Sequence, residues 1–452
     1  MDSLTEAVLG GAAPETLEKE SLPAEYLAAH LRAEDVSVFD GMADRDVRRS
    51  LRVGPVPMPV LDVDEVLVAV MASSINYNTV WSATFEPLPT FTFLERLGRQ
   101  GGSAARHDLP YHVLGSDASG VIVRVGQGVR RWRVGDHVVV SCVHVDDQEP
   151  ATHADGMLGG EQRIWGFETN FGGLAHYAVV RASQLLPKPP HLTWEEAACT
   201  MLCASTSYRM LVSDRGARMK QGDVVLIWGA TGGLGAYAVQ LVKNGGGVAV
   251  GVVGSEEKAA RLRNLGCDVV INREEIGLGA VPSSGAETIE MGKRLGRVIR
   301  SATGEDPHIT FDYIGKATFG ISVFVTRRGG TVVTCGSSTG YQHDFDNRYL
   351  WMNLKRIVGS HAANLQEQAE CNRLFRLGQL VPVLSSVFPL SEVAEATRWV
   401  QQNRHIGKVG VLCLAPLTGL GVTDPALRAR IGVQRLNPFL DHGTMEAEHA
   451  RV

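Results

Sequence analysis

The string Gly229-Ala230-Thr231-Gly232-Gly233-Leu234-Gly235 constrains this chain more than any other feature. It follows a β-branched, apolar run, Val224 to Trp228, and it opens an amphipathic stretch from Ala236 to Lys243. A glycine-rich turn between a strand and a helix lets a pyrophosphate approach the backbone. The start of the helix supplies N–H donors and the positive end of its dipole. A lone glycine-rich turn can be purely structural, but in strand–turn–helix context it predicts a dinucleotide site. The expected cofactor contacts are Gly229, Thr231, Gly232, Gly233, Leu234 and Gly235.

The flanking sequence repeats the alternation. Strands are predicted at Val248–Val253, Val269–Ile271, Ile309–Asp312 and Thr331–Cys335, and helices at Tyr237–Lys243, Glu256–Leu265 and Met291–Ser301. That order predicts an α/β doubly wound parallel sheet, a Rossmann domain over residues 205–365. About 20 residues past the glycines, an NAD site would place an acidic residue against the ribose 2′-hydroxyl. Here the chain reads Gly254-Ser255-Glu256-Glu257-Lys258. Ser255 and Lys258 can donate to a 2′-phosphate, which favours NADPH. Lys258 and Arg261 have the plainer alternative of an ordinary solvated helix face, which is set aside for Lys258, and Arg263 reads as part of such a face.

Residues 1–204 with 366–452 form the other expected domain, built around short strands with glycine turns. The strand near residues 64–74 alternates partially, and residues 112–145 are rich in Val and Gly, which suggests an all-β module such as a partly open barrel. A helix at Gln366–Leu377 and a last strand at Gly407–Leu412 are expected to return to that module. Residues 1 to about 55 read as a polar lead-in with helical pieces, and the tail from Pro416 as polar and loosely packed. A net charge of −5 gives no electrostatic case for nucleic acid or a membrane surface. No apolar run has membrane-spanning length. The seven cysteines are scattered and odd in number, which suggests a reduced, cytoplasmic chain. The acidic first 28 residues do not have the pattern of a signal peptide.

Zinc-dependent alcohol dehydrogenases of this architecture carry a GHExxG turn and a cysteine-rich lobe. The corresponding turn here is Gly115-Ser116-Asp117-Ala118-Ser119-Gly120, with Ser in place of His, and no four-cysteine cluster is present. His107 and His112 lie nearby without a matching ligand set. The expectation is an enzyme without a metal. Conjugate reduction of an activated C=C fits this set better than alcohol oxidation, because a thioester carbonyl can take up charge through hydrogen bonds.

Longer strings carry a more specific resemblance. They are Ser74-Ile75-Asn76-Tyr77-Asn78-Thr79-Val80-Trp81, Arg106-His107-Asp108-Leu109-Pro110-Tyr111-His112-Val113, Arg163-Ile164-Trp165-Gly166-Phe167-Glu168-Thr169-Asn170-Phe171-Gly172-Gly173, Met219-Lys220-Gln221-Gly222-Asp223 and Asp346-Asn347-Arg348-Tyr349-Leu350-Trp351-Met352. In these, from about residue 20 to 425, the chain resembles the crotonyl-CoA carboxylase/reductases, a zinc-free branch of the medium-chain dehydrogenase/reductases. The resemblance implies a GroES-like catalytic domain beside the Rossmann domain and a homo-oligomer, dimer or tetramer, with neighbouring Rossmann sheets joined at their edges. The Gly330–Gly336 strand is the expected edge element. It implies NADPH-dependent reduction of a 2-enoyl-CoA, with CO2 captured at the α-carbon to give an alkylmalonyl-CoA, the kind of product that feeds polyketide assembly.

The resemblance further implies that Asn78 and His361 donate hydrogen bonds to CO2, Phe167 excludes water, and Glu168 orients His361 or a water. Each has a plainer alternative. Asn78 could cap a helix from Thr79, Phe167 could be core, Glu168 a loop residue and His361 a structural histidine. Arg348 and Tyr349 would meet the CoA adenine end, or form a turn with a buried tyrosine. Three departures stand out. After the histidine the family usually has a bulky aromatic, whereas this chain reads Ser360-His361-Ala362-Ala363-Asn364. Losing a ring opens roughly 100 Å3 unless refilled, so Ala362 predicts a longer or branched acyl chain. Phe311-Asp312-Tyr313-Ile314-Gly315 stands where FEHPG is common, and Cys199-Thr200-Met201-Leu202-Cys203-Ala204 where an Asn precedes the Ser-Thr pair. The rival expectation on the same fold is a simple enoyl-CoA or quinone reductase whose enolate takes a proton. A rival from another class is a non-catalytic NADPH-binding protein.

Overall fold

The computed structural model describes residues 2–279 and 281–440 and divides into two compact units. The first comprises Met1–Leu202, Asn364–Arg376 and Leu384–Val452, and the second Cys203–Ala363 and Leu377–Val383. The end of the expected first domain, residues 441–452, lies outside the described residues.

The first unit holds strands β1 (Glu25–Arg32), β2 (Arg52–Pro57), β3 (Glu65–Ile75), β4 (Tyr111–Val113), β5 (Ala118–Val125), β6 (His137–Val140), β7 (Val143–His144), β8 (Arg163–Ile164), β9 (Tyr177–Arg181) and β10 (Leu185–Pro187). The second holds β11 (Val224–Ile227), β12 (Val248–Val253), β13 (Val269–Asn272), β14 (Ile309–Phe311), β15 (Thr331–Thr334) and β16 (Arg356–Gly359). Strands β17 (Leu384–Pro389) and β18 (Lys408–Leu412) belong to the first unit.

β3 is the axis of the first unit. All eleven of its residues are buried, because it carries β5, β9 and β18 as antiparallel neighbours. Leu67, Ala69 and Met71 face one core with Val121, Tyr177 and Trp194, while Val66, Val68 and Val70 face another with Ile122, Val138 and Trp165. Two buried faces explain why its sequence alternates only partially. The last strand, β18, does return to this sheet.

The N-terminal stretch departs from the expected helical lead-in. After two short helices, β1 and β2 pair antiparallel, and β4 completes a three-stranded sheet. β1 alternates only over its first residues and is then continuously buried, which hides its period. The described part of the tail is also not loose. Trp194 N–H donates to the Leu420 carbonyl, Arg428 forms a two-pronged ion pair with buried Glu196 (2.7 and 2.9 Å), and Leu436 and Phe439 are buried.

The second unit is a parallel sheet in the order β13-β12-β11-β14-β15-β16, the Rossmann order. Val224, Leu226 and Trp228 pack with Val250, Val252, Met291 and Leu295 on one face. β15 lies between β14 and β16, so the expected edge element at Gly330–Gly336 is interior; the edge belongs to β16. Its sequence, Arg356-Ile357-Val358-Gly359, is too short and too exposed to carry a periodic signal.

Candidate functional site

In the second unit, β11 runs into the glycine turn, and the helix Gly233–Asn244 begins at once behind it. Gly229 has φ +59, a left-handed conformation that favours glycine. A Cβ on Gly235 would lie 2.4 Å from the Gly229 carbonyl, so the helix can sit this close to the turn only with glycine there. Gly232 caps the helix without a side chain, which leaves the first-turn N–H groups facing outward without a side-chain acceptor. Such a cradle fits a pyrophosphate.

The Asp312-Tyr313 departure acquires a physical role here. The Tyr313 hydroxyl donates to the Gly229 carbonyl at 2.7 Å and would touch a Cβ on Gly229 or Gly232. Tyr313 therefore buttresses the glycine turn. Asp312 is fully buried and accepts from the N–H groups of Ile314 and Gly315 and the hydroxyls of Thr318 and Ser322, at 2.6 to 3.1 Å. Burial raises its pKa although these bonds oppose the shift.

Beyond the carboxyl ends of β12 and β13, Ser255 caps the helix Glu256–Asn264, its hydroxyl accepting from Lys258 N–H at 3.3 Å. Burial, and then the nearby Arg273 charge, lower the Lys258 pKa. Arg273 was not singled out in the sequence. Its N–H donates to the Val253 carbonyl, its guanidinium lies over Gly254 (3.3 Å from a Cβ placed there), and its buried Nε has no hydrogen-bond partner. The signal that could have found it is its place directly after β13, at the ligand-binding end of a parallel sheet. The Arg273 Nε lies 3.4 Å from the exposed Glu274 carboxylate, an ion pair that leaves the guanidinium beside Lys258 and Gly254 able to turn donors toward a phosphate monoester.

In the first unit, Asn76 rather than Asn78 precedes the helix Tyr77–Thr84, so Asn78 is not its cap. Asn78 lies in the first turn, and its Nδ2 donates to the Ser116 hydroxyl at 2.8 Å; its buried Oδ1 has no partner. Phe167 and Glu168 share the turn after β8. The half-buried Phe167 ring tilts against Phe93 at 5.8 Å, and a Glu168 carboxylate oxygen accepts from Ile164 N–H at 2.8 Å.

His107 and His112 are committed to the framework. His112 bridges the Thr90 hydroxyl and the Thr169 carbonyl (2.8 and 3.1 Å), and His107 Nδ1 accepts from Asn170 N–H. Burial pushes their pKa values down to about 4 and about 3. Among the described residues, no group of three or more His, Cys, Asp or Glu is arranged to hold a metal ion.

In the second unit, His361 is exposed, and Ala362 behind it is buried with φ +44, a conformation that non-glycine residues rarely adopt. Arg348 is exposed and forms a two-pronged pair with Asp346, while Tyr349 packs edge-on to Phe324 at 4.7 Å.

Comparison with known proteins places this geometry in a family. A model of the alcohol dehydrogenase GroES-like domain matches residues 62–190, and one of the zinc-binding dehydrogenases matches 233–377. The crotonyl-CoA reductase of Streptomyces collinus is 52% identical over 421 residues, covering 92% of this chain and 94% of that protein. The crotonyl-CoA carboxylase/reductase of Cereibacter sphaeroides is 40% identical, covering 84% and 88%. A solved structure of the 2-octenoyl-CoA carboxylase reductase CinF, in complex with NADP and 2-octenoyl-CoA, superposes with a TM-score of 0.96 at 65% identity, covering 97% of this chain and 99% of that one. A glycine turn on a Rossmann sheet, a GroES-like unit with serine at the metal-ligand position, and identity this high along nearly the whole length make the chain a member of the crotonyl-CoA carboxylase/reductase family of medium-chain dehydrogenase/reductases.

Proposed function

We propose that this protein reduces a 2-enoyl-CoA longer than crotonyl-CoA and carboxylates it, giving an alkylmalonyl-CoA suited to polyketide extension. The observation that carries this reading is the 65% identity, over 97% of the chain, to a carboxylase reductase bound to NADP and 2-octenoyl-CoA. Bound NADPH supplies the hydride for the β-carbon. The glycine turn holds the pyrophosphate, and Ser255, Lys258 and Arg273 take the 2′-phosphate. The enolate formed on the substrate bonds through its α-carbon to the carbon of CO2, and the new carboxylate keeps the charge. Asn78 and His361 donate to the CO2 oxygens, Phe167 keeps water away from the carbanion, and Glu168 orients a neighbouring donor. Ala362 leaves room for the longer acyl chain. Arg348 and Tyr349 serve the adenine end of CoA.

No helix among the described residues is long and apolar enough to cross a membrane. None of the seven cysteines is joined in a disulfide, which supports a reducing, cytoplasmic setting. The unpaired edge of β16 supports a homo-oligomer.

The test is product analysis with NADPH, labelled bicarbonate and carbonic anhydrase on 2-octenoyl-CoA and crotonyl-CoA. The expected result is labelled hexylmalonyl-CoA, with the higher kcat/KM for the eight-carbon substrate. Asn78→Ala and His361→Ala should each divert product toward octanoyl-CoA. Unlabelled saturated product from the wild-type enzyme would leave only a plain reductase.

A further inference from the structure

Ser116 occupies the turn position where zinc dehydrogenases place a metal-ligating histidine, and here it touches Asn78. We infer that Ser116 is a positioning residue that sets which edge of the Asn78 amide is offered to CO2, an inference that rests on the carboxylation reading above.

The turn is anchored on both sides. Gly115 has φ +113, and a Cβ there would lie 2.4 Å from Leu174 N, so only glycine lets the two backbones approach this closely. On the other side, the Asp117 carboxylate is 1% exposed and accepts from Ser74 Oγ, Asn76 Nδ2 and Leu202 N–H at 2.8 to 3.0 Å; Lys408 Nζ lies 3.1 Å away. Ser116 itself is 1% exposed. Its hydroxyl is held on a backbone with little freedom to move, and Asn78 must adapt to it.

The hydrogen bonding is unbalanced. With Nδ2 directed at Ser116, the serine oxygen acts as acceptor, and its O–H donates to no group among the described residues. The buried Asn78 Oδ1 is likewise idle. An unmatched donor and an unmatched acceptor therefore sit at the two ends of one contact. A half-turn of the amide about Cβ–Cγ pairs these two, because Ser116 O–H then donates to Oδ1, and it moves the unmatched group from the oxygen to Nδ2. The half-turn thus leaves the two Nδ2 hydrogens without an acceptor in the resting protein. CO2 is a poor acceptor, whereas the carboxylate it becomes is a strong one, so these donors bind the developing product better than the reactant. A histidine at position 116 could donate as well, but a hydroxyl is short enough to meet the amide without filling the space beside it.

The experiment measures the ratio of alkylmalonyl-CoA to saturated acyl-CoA from 2-octenoyl-CoA, across a bicarbonate series with carbonic anhydrase, for the wild type, Ser116→Ala and Ser116→Thr. Alanine removes the hydroxyl, and the amide loses its preference. The saturated share should rise about fivefold, the scale of one hydrogen bond, with a higher KM for CO2. Threonine keeps the hydroxyl and should restore the ratio. A merely structural role would lower the melting temperature and leave the ratio unmoved. If Ser116→Ala carboxylates as the wild type does, with the same KM for CO2, the inference is overturned while the carboxylation reading stands. A wild type that makes no alkylmalonyl-CoA overturns both.

Discussion

Arg273 shows what one side chain can add to a turn already identified from sequence. Ser255 spends its hydroxyl on capping a helix, so it cannot by itself discriminate a phosphate. Lys258 and Arg273 supply the positive charge; burial first and then the Arg273 charge lower the Lys258 pKa, and an anion between the two side chains relieves their repulsion. Arg273→Ala should therefore raise KM for NADPH by about 10- to 100-fold, the range for one charge-assisted hydrogen bond. KM for NADH, which lacks the phosphate, should hardly move. Steady-state kinetics with both nucleotides check this, and an equal loss for both would mean the guanidinium serves the turn rather than the phosphate. At this scale, what the sequence discloses depends on whether a residue sits in a pattern. The glycines announce themselves by composition and spacing. Arg273 does not, and Ser116 announces its place in a turn but not its contact with Asn78, because both roles come from backbone segments apart in the chain that the fold brings together.

At the scale of elements, a strand is legible when its burial repeats. β11 and β12 lie inside a parallel sheet and read as buried, Val-rich runs, and β13, at one edge, still reads as the run Val269-Val270-Ile271. β16, at the other edge, has only Ile357 and Val358 as apolar residues in a mostly exposed run of four, and β1 and β2 lie in a stretch whose polar residues suggest helix. Misplacing the edge at β15 follows from the same cause, since a short exposed strand leaves no periodic trace. The edge has consequences for assembly. Ile357 on β16 is 37% exposed, and Trp351, Met352 and Leu354, just before it, are 54 to 66% exposed. An unpaired strand edge beside large apolar side chains is a surface that water covers poorly and a second copy covers well. Ile357→Lys should reduce the assembly state measured by light scattering, with the fold retained by circular dichroism. An unchanged mass would place the contact elsewhere.

For the molecule as a whole, charge burial separates the two units by their response to acid. Seven of the 14 histidines, His30, His107, His112, His137, His144, His176 and His191, have pKa values lowered chiefly by burial, and all lie in the first unit. In the unfolded chain each would titrate near 6.5. Between that pH and the folded values, which for His112 and His191 are about 4, the unfolded state binds more protons than the native state. Stability of the first unit is therefore intact above about pH 6.5 and falls as the pH drops toward 4. In the second unit the sign reverses for Asp312, whose raised pKa means the native state holds its proton more tightly than the unfolded chain does. Its contribution grows on acidification and is lost as pH rises through the folded pKa. Acid should thus loosen the first unit before the second. Hydrogen exchange read by mass spectrometry from pH 7 to 4.5, corrected for the intrinsic exchange rate, should show protection lost first in β3, β5 and β9, with β11 and β14 still protected. Simultaneous loss in both sheets would mean that the units unfold as one body and that the buried imidazoles do not set the acid limit.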